Sequence, residues 1–329
     1  MNKLIQTCFA LLGSSLLMNS ALAAPTVYIP LGTGNLVIAV DAKDDSIIAQ
    51  YTGVVNAHGL VATPDGEYLI AGSLTDKLLK PGQPKDTLNS TLFLIHPEHG
   101  HVMSTIPVAG WTHHQAITPD GRYVLSTHGM RGLVSVLDMQ ANKIVREIKT
   151  GMVPNFTLVT KDGKYAYVSN SGSNNISEID LTTWKVTRTL ESGPAPEHMV
   201  FSLDESMIYI VNPRAGIVTA VTVKTGKTAR TYKPGDTLHS LDITEDGKTL
   251  FVSSKKDEKL VAIDIKSGTM RSQKLTPAPY HLNIIKGTNK LYISSRKKSI
   301  IWVIDQKTLK VINEIKLPAG EGHQMVTVQ

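Results

Sequence analysis

Short runs of alternating or wholly apolar residues, each about six long and separated by polar turn clusters, fill the chain from Thr26 onward. Such runs are strands, and no helical periodicity competes with them. The turns set the register. They read Pro64-Asp65-Gly66, Pro119-Asp120-Gly121, Lys161-Asp162-Gly163, Asp204-Glu205-Ser206, Glu245-Asp246-Gly247 and Gly287-Thr288-Asn289. Asp-Gly between two β-rich runs marks a hairpin, because glycine tolerates positive φ and aspartate bonds its own backbone. After each turn comes a second strand, a polar loop, a third strand that usually ends in aspartate (Asp41, Asp138, Asp180, Asp264, Asp305), and a more polar fourth strand.

Four short strands repeated at this period predict an all-β, seven-bladed β-propeller over residues 24–329, because a sandwich would not repeat so regularly. Thr26 to Gly53 supply only three strands. His323 to Gln329 supply one orphan strand that matches the innermost strand of the other blades. The C-terminal strand is therefore expected to complete the N-terminal blade and remove the exposed sheet edges.

Tyr167-Val168-Ser169-Asn170, followed by Ser171-Gly172-Ser173-Asn174 and Ile179-Asp180, resembles the YVTN-type propeller repeat. That resemblance implies the fold and leaves function open, because such repeats serve enzymes, cofactor carriers and scaffolds alike.

At the N-terminus, Lys3, an apolar run from Cys8 to Met18 and the small-residue pattern Ala21-Leu22-Ala23 read as a signal peptide over residues 1–23, and so as a periplasmic protein. The run is too short and too interrupted for a retained anchor, and no later stretch would span a bilayer. The one cysteine, Cys8, lies in the segment to be removed. Any metal site in the mature chain must then use histidine, methionine or carboxylates. The net charge of +6 comes without a long basic run, so composition does not indicate nucleic acid.

Counting six residues back from each turn aligns His58, His113, Asn155, His198, His239 and His281, and the strand match adds His323. Histidine in six of seven slots, in a chain with 11 histidines among 329 residues, is not scatter. The slot begins the innermost strand, so these side chains should ring one mouth of the central channel. Imidazoles without thiolate suit copper, zinc or nickel better than magnesium or calcium. The arrangement is similar in geometry to the propellers of nitrous oxide reductase and thiocyanate dehydrogenase, whose inner-strand histidines hold copper. That similarity implies copper as the cofactor, with zinc the alternative, and a role in metal handling or as a copper oxidoreductase. An organic-ligand module for a tetrapyrrole and a metal-free interaction scaffold are the competing readings, and packing of a narrow channel is the structural alternative for the histidines.

Four further features bear on the site. His128, at the end of a second strand, is expected to add a seventh ligand or to orient one. Asn155 would leave an open side, and strand alternation should aim His114 away from His113. Arg131, Arg214, Lys255, Lys256, Arg296, Lys297 and Lys298 would make the same face electropositive, favouring a small anionic substrate or a protein partner there, with Trp111 and Tyr280 walling the mouth. The insertion from Thr75 to Asn89 rises on that face, whereas His96, His99 and His101 belong to a turn on the opposite one. No phosphate loop, nucleophile elbow or helical metalloprotease motif is present.

Overall fold

The turn chemistry repeats almost atom for atom. Thr63 Oγ1 donates to Asp65 Oδ1 (2.5 Å) and accepts from Tyr68 N (3.0 Å), while Asp65 Oδ1 accepts from Glu67 N. The same set recurs as Thr118–Asp120, Thr160–Asp162, Ser202–Asp204 and Thr244–Asp246. Each turn needs one residue at positive φ, supplied by Gly66, Gly121, Gly163, Gly247 and Gly287, and by Glu205 at φ 57°. Glu205 thus holds the glycine position, so that turn is Leu203-Asp204-Glu205. In the last turn Thr288 N bonds Ile285 O as Gly66 N bonds Thr63 O, so that turn begins at Lys286 and its positive φ falls one place earlier, at Gly287. Both lie one residue earlier than the sequence alignment places them.

A computed structural model describes residues 24–77, 80, 82–84 and 87–329. The expected signal peptide and part of the Thr75–Asn89 insertion lie outside the described residues. The chain forms seven four-stranded antiparallel sheets arranged as blades. Strands A to D run from the axis outward. Blade 4, for example, comprises Pro154–Val159, Tyr165–Asn170, Asn175–Asp180 and Lys185–Glu191. Blades 2, 3, 5, 6 and 7 begin with strands A at Ala57–Ala62, Gln115–Ile117, Met199–Phe201, Leu238–Ile243 and Pro279–Ile285. Blade 1 is composite, as expected: Thr26–Leu31, Leu36–Asp41 and Ser46–Thr52 are joined by Val326–Val328, which pairs Val328 with Thr26 and Val326 with Tyr28.

Apolar side chains of strands B and C pack between neighbouring sheets. At the seam between blades 7 and 1, Ile29 and Ile38 meet Tyr292, Ile301 and Val303, all fully buried. Asp45 fastens the rim of the same seam, taking bonds from Lys290 Nζ (2.7 Å), Tyr292 OH (2.5 Å) and Asn313 Nδ2 (3.0 Å). Nearer the axis, a strand-B hydroxyl ties each of three blades to the next. Thr127 Oγ1 accepts from His114 N and donates to Asn155 O (2.9 Å). Ser169 does the same with Phe156 N and Glu197 O (2.7 Å), and Ser253 with Ser240 N and Tyr280 O (2.6 Å).

Ending the chain at Met325 removes strand A of blade 1 and leaves the Thr26–Tyr28 edge unpaired. Such a truncation is expected to lower the thermal unfolding midpoint by more than ~5 °C and to promote self-association through the open edge. Circular dichroism melts with light scattering check both, and an unchanged midpoint would remove the closing role of this strand.

Candidate functional site at the channel mouth

Strand pairing shows that the histidines occupy two adjacent tiers. His113 N donates to Thr127 O and Thr127 N to His114 O, while Glu197 N donates to Val211 O and Val211 N to His198 O. Glu197 is therefore the equivalent of His113, and His198 of His114. His281 N bonds Ser294 Oγ as His114 N bonds Thr127 Oγ1, which leaves Tyr280 level with His113. His323 N bonds Pro30 O as His113 N bonds Thr127 O. The outer tier is His58, His113, Asn155, Glu197, His239, Tyr280 and His323. The inner tier is Gly59, His114, Phe156, His198, Ser240, His281 and Gln324. The single column expected from the turns thus splits, with His198 and His281 one level deeper, because the two turns preceding their strands B are displaced by one residue.

Both tiers reach the axis, contrary to the expectation that His114 points away. Regular pairing in blade 3 starts only at Gln115, after both histidines, and strand A of blades 2, 4, 6 and 7 carries a register irregularity at its start. Alternation does not hold before the ladder begins. Gly59 stands in for an inner histidine in blade 2, where a Cβ would lie 2.6 Å from His113 O and closer still to Gln115 Oε1.

Seven imidazoles therefore crowd together. His58 stacks on His113 at 4.4 Å between centroids and lies 4.2 Å from His323, while His198 is 4.6 Å from both His114 and His239. The Nε2 atoms of His114 and His198 are 3.1 Å apart, and those of His239 and His281 3.2 Å. The Asn155 backbone carbonyl receives Nδ1–H from His114 (3.0 Å) and from His113 (3.3 Å), which leaves a lone pair on each Nε2. Burial is the main force on these rings. It drives His113 down to about 4 and His198 to about 3, and holds His58, His114, His239 and His281 well below the usual histidine value. The cluster is neutral at pH 7. Below it, a cavity of about 210 Å³ is lined by Phe156, His198, Asp242, His281 and Gln324. Burial pushes the Asp242 carboxyl there up to about 6.

His128 does not join the cluster. It is buried, with Nδ1 on Gly110 O (3.2 Å) and Nε2 on Ser135 Oγ (2.7 Å), so both nitrogens serve the blade. Asn170 and Asn212 make the matching bonds to Ser177 and Thr219 in their own blades. His96, His99 and His101 stack among themselves on a C to D turn of blade 2.

Over the imidazoles sits a polar lid that the sequence reading only half finds. The Tyr280 ring stacks flat on His239, 3.9 Å between centroids, and Lys255 Nζ and Arg296 Cζ each lie 5.4 Å from its centre. Burial pushes the Tyr280 phenol up to about 12, so it stays protonated. Glu197 Oε2 lies 3.7 Å from His239 Nδ1, and its side chain is 29% exposed. Burial raises the Glu197 carboxyl, with Lys255 and Arg214 pulling the other way. Across the mouth, burial also pushes Glu321 upward, but bonds from His323 and Thr33 and the charge of Arg296 bring it down to about 2. Of the seven expected cations, Arg214, Lys255 and Arg296 therefore bear on the mouth. Lys256 is paired with Asp236, Arg131 lies near Asp76, and Lys297 and Lys298 face solvent. Trp111 packs 5.6 Å from His113.

A partly buried carboxylate, cations and a polar cluster thus converge at one mouth of the propeller channel, an arrangement able to receive a small molecule. The family model described as "Lactonase, 7-bladed beta-propeller" matches residues 109–321, and the chain belongs to that family. A putative 6-phosphogluconolactonase from Bacteroides fragilis superimposes with a TM-score of 0.78 at 16% identity, covering 94% of this chain and 99% of that one. The periplasmic gluconolactonase of Pseudomonas aeruginosa gives 0.72 at 16%, covering 93% and 99%. Hydrazine synthase from Kuenenia stuttgartiensis gives 0.67 at 19%, covering 82% and 86%. No curated protein matches the sequence. At these identities the structures show the fold alone.

The lactonase family, with lactonase-type structural neighbours, overturns the expectation of a copper-handling protein or copper oxidoreductase. A repeated histidine identifies a set of donors and does not carry a biological role with it. Among the described residues no helix is long and apolar enough to cross a membrane.

Two outcomes are expected here. His128→Asn should keep stability within ~1 kcal/mol, because asparagine makes the equivalent bonds in blades 4 and 5, whereas His128→Ala should cost ~1–3 kcal/mol by orphaning buried partners. Urea midpoints of the two variants decide it. The lowered histidine values also fix a pH dependence. In the unfolded chain these rings take up protons near pH 6.5, and in the folded chain only at lower pH. Their contribution is therefore complete above that value and lost as pH falls from about 6.5 towards 3. With several rings involved, stability should fall by more than ~1.4 kcal/mol per pH unit below 6. Denaturation at pH 7.5, 5.5 and 4.5 measures this slope, and a flat profile would contradict it.

Proposed function

We propose that this protein hydrolyses the ring ester of an anionic lactone at the basic channel mouth, outside the cytoplasm. The observation that carries the reading is Glu197: a mostly buried carboxylate with a raised proton affinity, beside His239 and facing Lys255. Glu197 takes a proton from water as the water oxygen attacks the lactone carbonyl carbon. The oxyanion that develops is stabilised by Lys255 and by the protonated Tyr280 hydroxyl. The ring C–O bond then breaks, the leaving oxygen takes the proton from Glu197, and water plus lactone has become a hydroxy acid. Arg296 and Arg214 attract the substrate's negative group.

Family membership supports the reaction class, and the electropositive mouth supports an acidic substrate. The leader-like residues 1–23 and the periplasmic gluconolactonase with the same fold support the location. The YVTN-type stretch in blade 4 is read as a local form of the same repeat.

Ring opening of 6-phosphogluconolactone and of glucono-δ-lactone, followed in a pH-stat above the spontaneous rate, is the direct test. Activity should favour the phosphorylated lactone, fall by ~10²-fold or more in Glu197→Gln, and show a raised KM in Arg296→Ala. Failure to exceed the buffer rate with any acidic or neutral lactone would overturn the proposal.

A further inference from the structure

Beneath the lid, the seven imidazoles exceed what the hydrolysis needs. His114, His198 and His281 come from alternate blades 3, 5 and 7 at one level, and each can place a ring nitrogen within 4.8 Å of the other two. Three such groups are donors to a single ion, two, two and three blades apart around the channel. We propose that His114, His198 and His281 form a resident site for a divalent d-block cation where the channel begins.

The hydrogen bonding around the triad is what a metal site requires. His114 spends its N–H on the Asn155 carbonyl, so its Nε2 offers a lone pair towards His198 Nε2. A carbonyl on the far nitrogen is the usual way a ligating histidine is oriented. In protein–protein contacts alone the neighbouring rings are poorly served: both nitrogens of His58, and Nδ1 of His198 and of His239, are buried without a partner. Each orphaned nitrogen has given up a hydrogen bond to water without replacing it, so several in one place call for a compensating ligand. A cation at the triad supplies a partner to His198, and His58 and His239 stand next to it in the same cluster.

The chemistry of the donors sets the class of ion. No carboxylate or thiolate belongs to the triad, so zinc, copper(II), nickel or cobalt(II) fits, and magnesium and calcium do not. Three ligands leave a further position open, and two of them, His198 and His281, line the 210 Å³ cavity. The ion is a fixed component here, not cargo. Its presence does not depend on the lactone reading, which places the chemistry on Glu197, Lys255 and Tyr280, none of them a member of the triad, although Glu197 lies near the shared His198.

The test uses the folded chain stripped with chelator and then offered ZnCl₂, CuCl₂ or MgCl₂ separately, desalted, and assayed for metal by mass spectrometry. At least one equivalent of zinc or copper, and no magnesium, should remain bound. The same amount should be retained by His96→Ala/His99→Ala/His101→Ala and by Glu197→Gln, and lost from His198→Gln/His281→Gln. Cobalt(II) should give a visible absorption band that this double variant lacks. Should that variant not fold, the surface triple variant decides the matter alone, its melting point having to rise with ZnCl₂ and not with MgCl₂. Absence of retained metal, or retention that follows the surface histidines, overturns the site. Metal retained by a protein without lactonase activity leaves the site standing and removes only the hydrolytic reading.

Discussion

The interaction on which the channel mouth depends is the strand-B hydroxyl that accepts an amide proton from its own strand A and donates to a carbonyl of the next blade. Thr127, Ser169 and Ser253 each do this, and the carbonyls they reach belong to Asn155, Glu197 and Tyr280. All three acceptors are outer-tier residues. The bond between blades therefore also fixes the height of the functional position in the following blade. One hydroxyl thereby couples the packing of neighbouring sheets to the geometry of the site, with both ends of the bond buried and hence costly to break.

A division of labour follows from the two tiers. The outer level adds Glu197 and Tyr280 to imidazoles mostly as buried as those below and lies beneath Lys255 and Arg296, so it has charge and, at Glu197 and His113, access to solvent. The inner level is desolvated and neutral, and opens on the channel. Proton transfer suits the first environment and ligation by lone pairs the second, because water screens charge at the surface and its loss suppresses the charged form below. The stacked Tyr280–His239 pair belongs to the outer level and meets the inner one at His281, which lies edge-on to both rings.

Much of the architecture was legible in the sequence because turn chemistry and strand length are local. The Asp-Gly turns gave the blade count, and the orphan strand after His323 gave the closure. The site was legible only to the nearest residue. Glu205 occupies a glycine conformation that nothing in its identity announces, and reading the turn one place late put His198 level with His113 and hid Glu197. His114 was set aside because alternation was applied before the ladder begins. The paired dipeptides His113-His114 and Glu197-His198 were the available signal, since both place two chemically active residues at a strand start. His128 misleads for a related reason: its position at the end of strand B is structural, filled in six blades by a hydrogen-bonding side chain and in blade 1 by Leu31.

The composite first blade carries a consequence for how the molecule comes into being. Its inner strand, Val326–Val328, follows all the other blades in the chain, so residues Thr26–Tyr28 have no partner on that side until translation has passed residue 328. The Asp45 fastening is equally late, since Lys290, Tyr292 and Asn313 all belong to blade 7. A chain whose last strand has not docked is therefore an open arc with two unpaired edges, and the histidine cluster is completed only when His323 arrives beside His58.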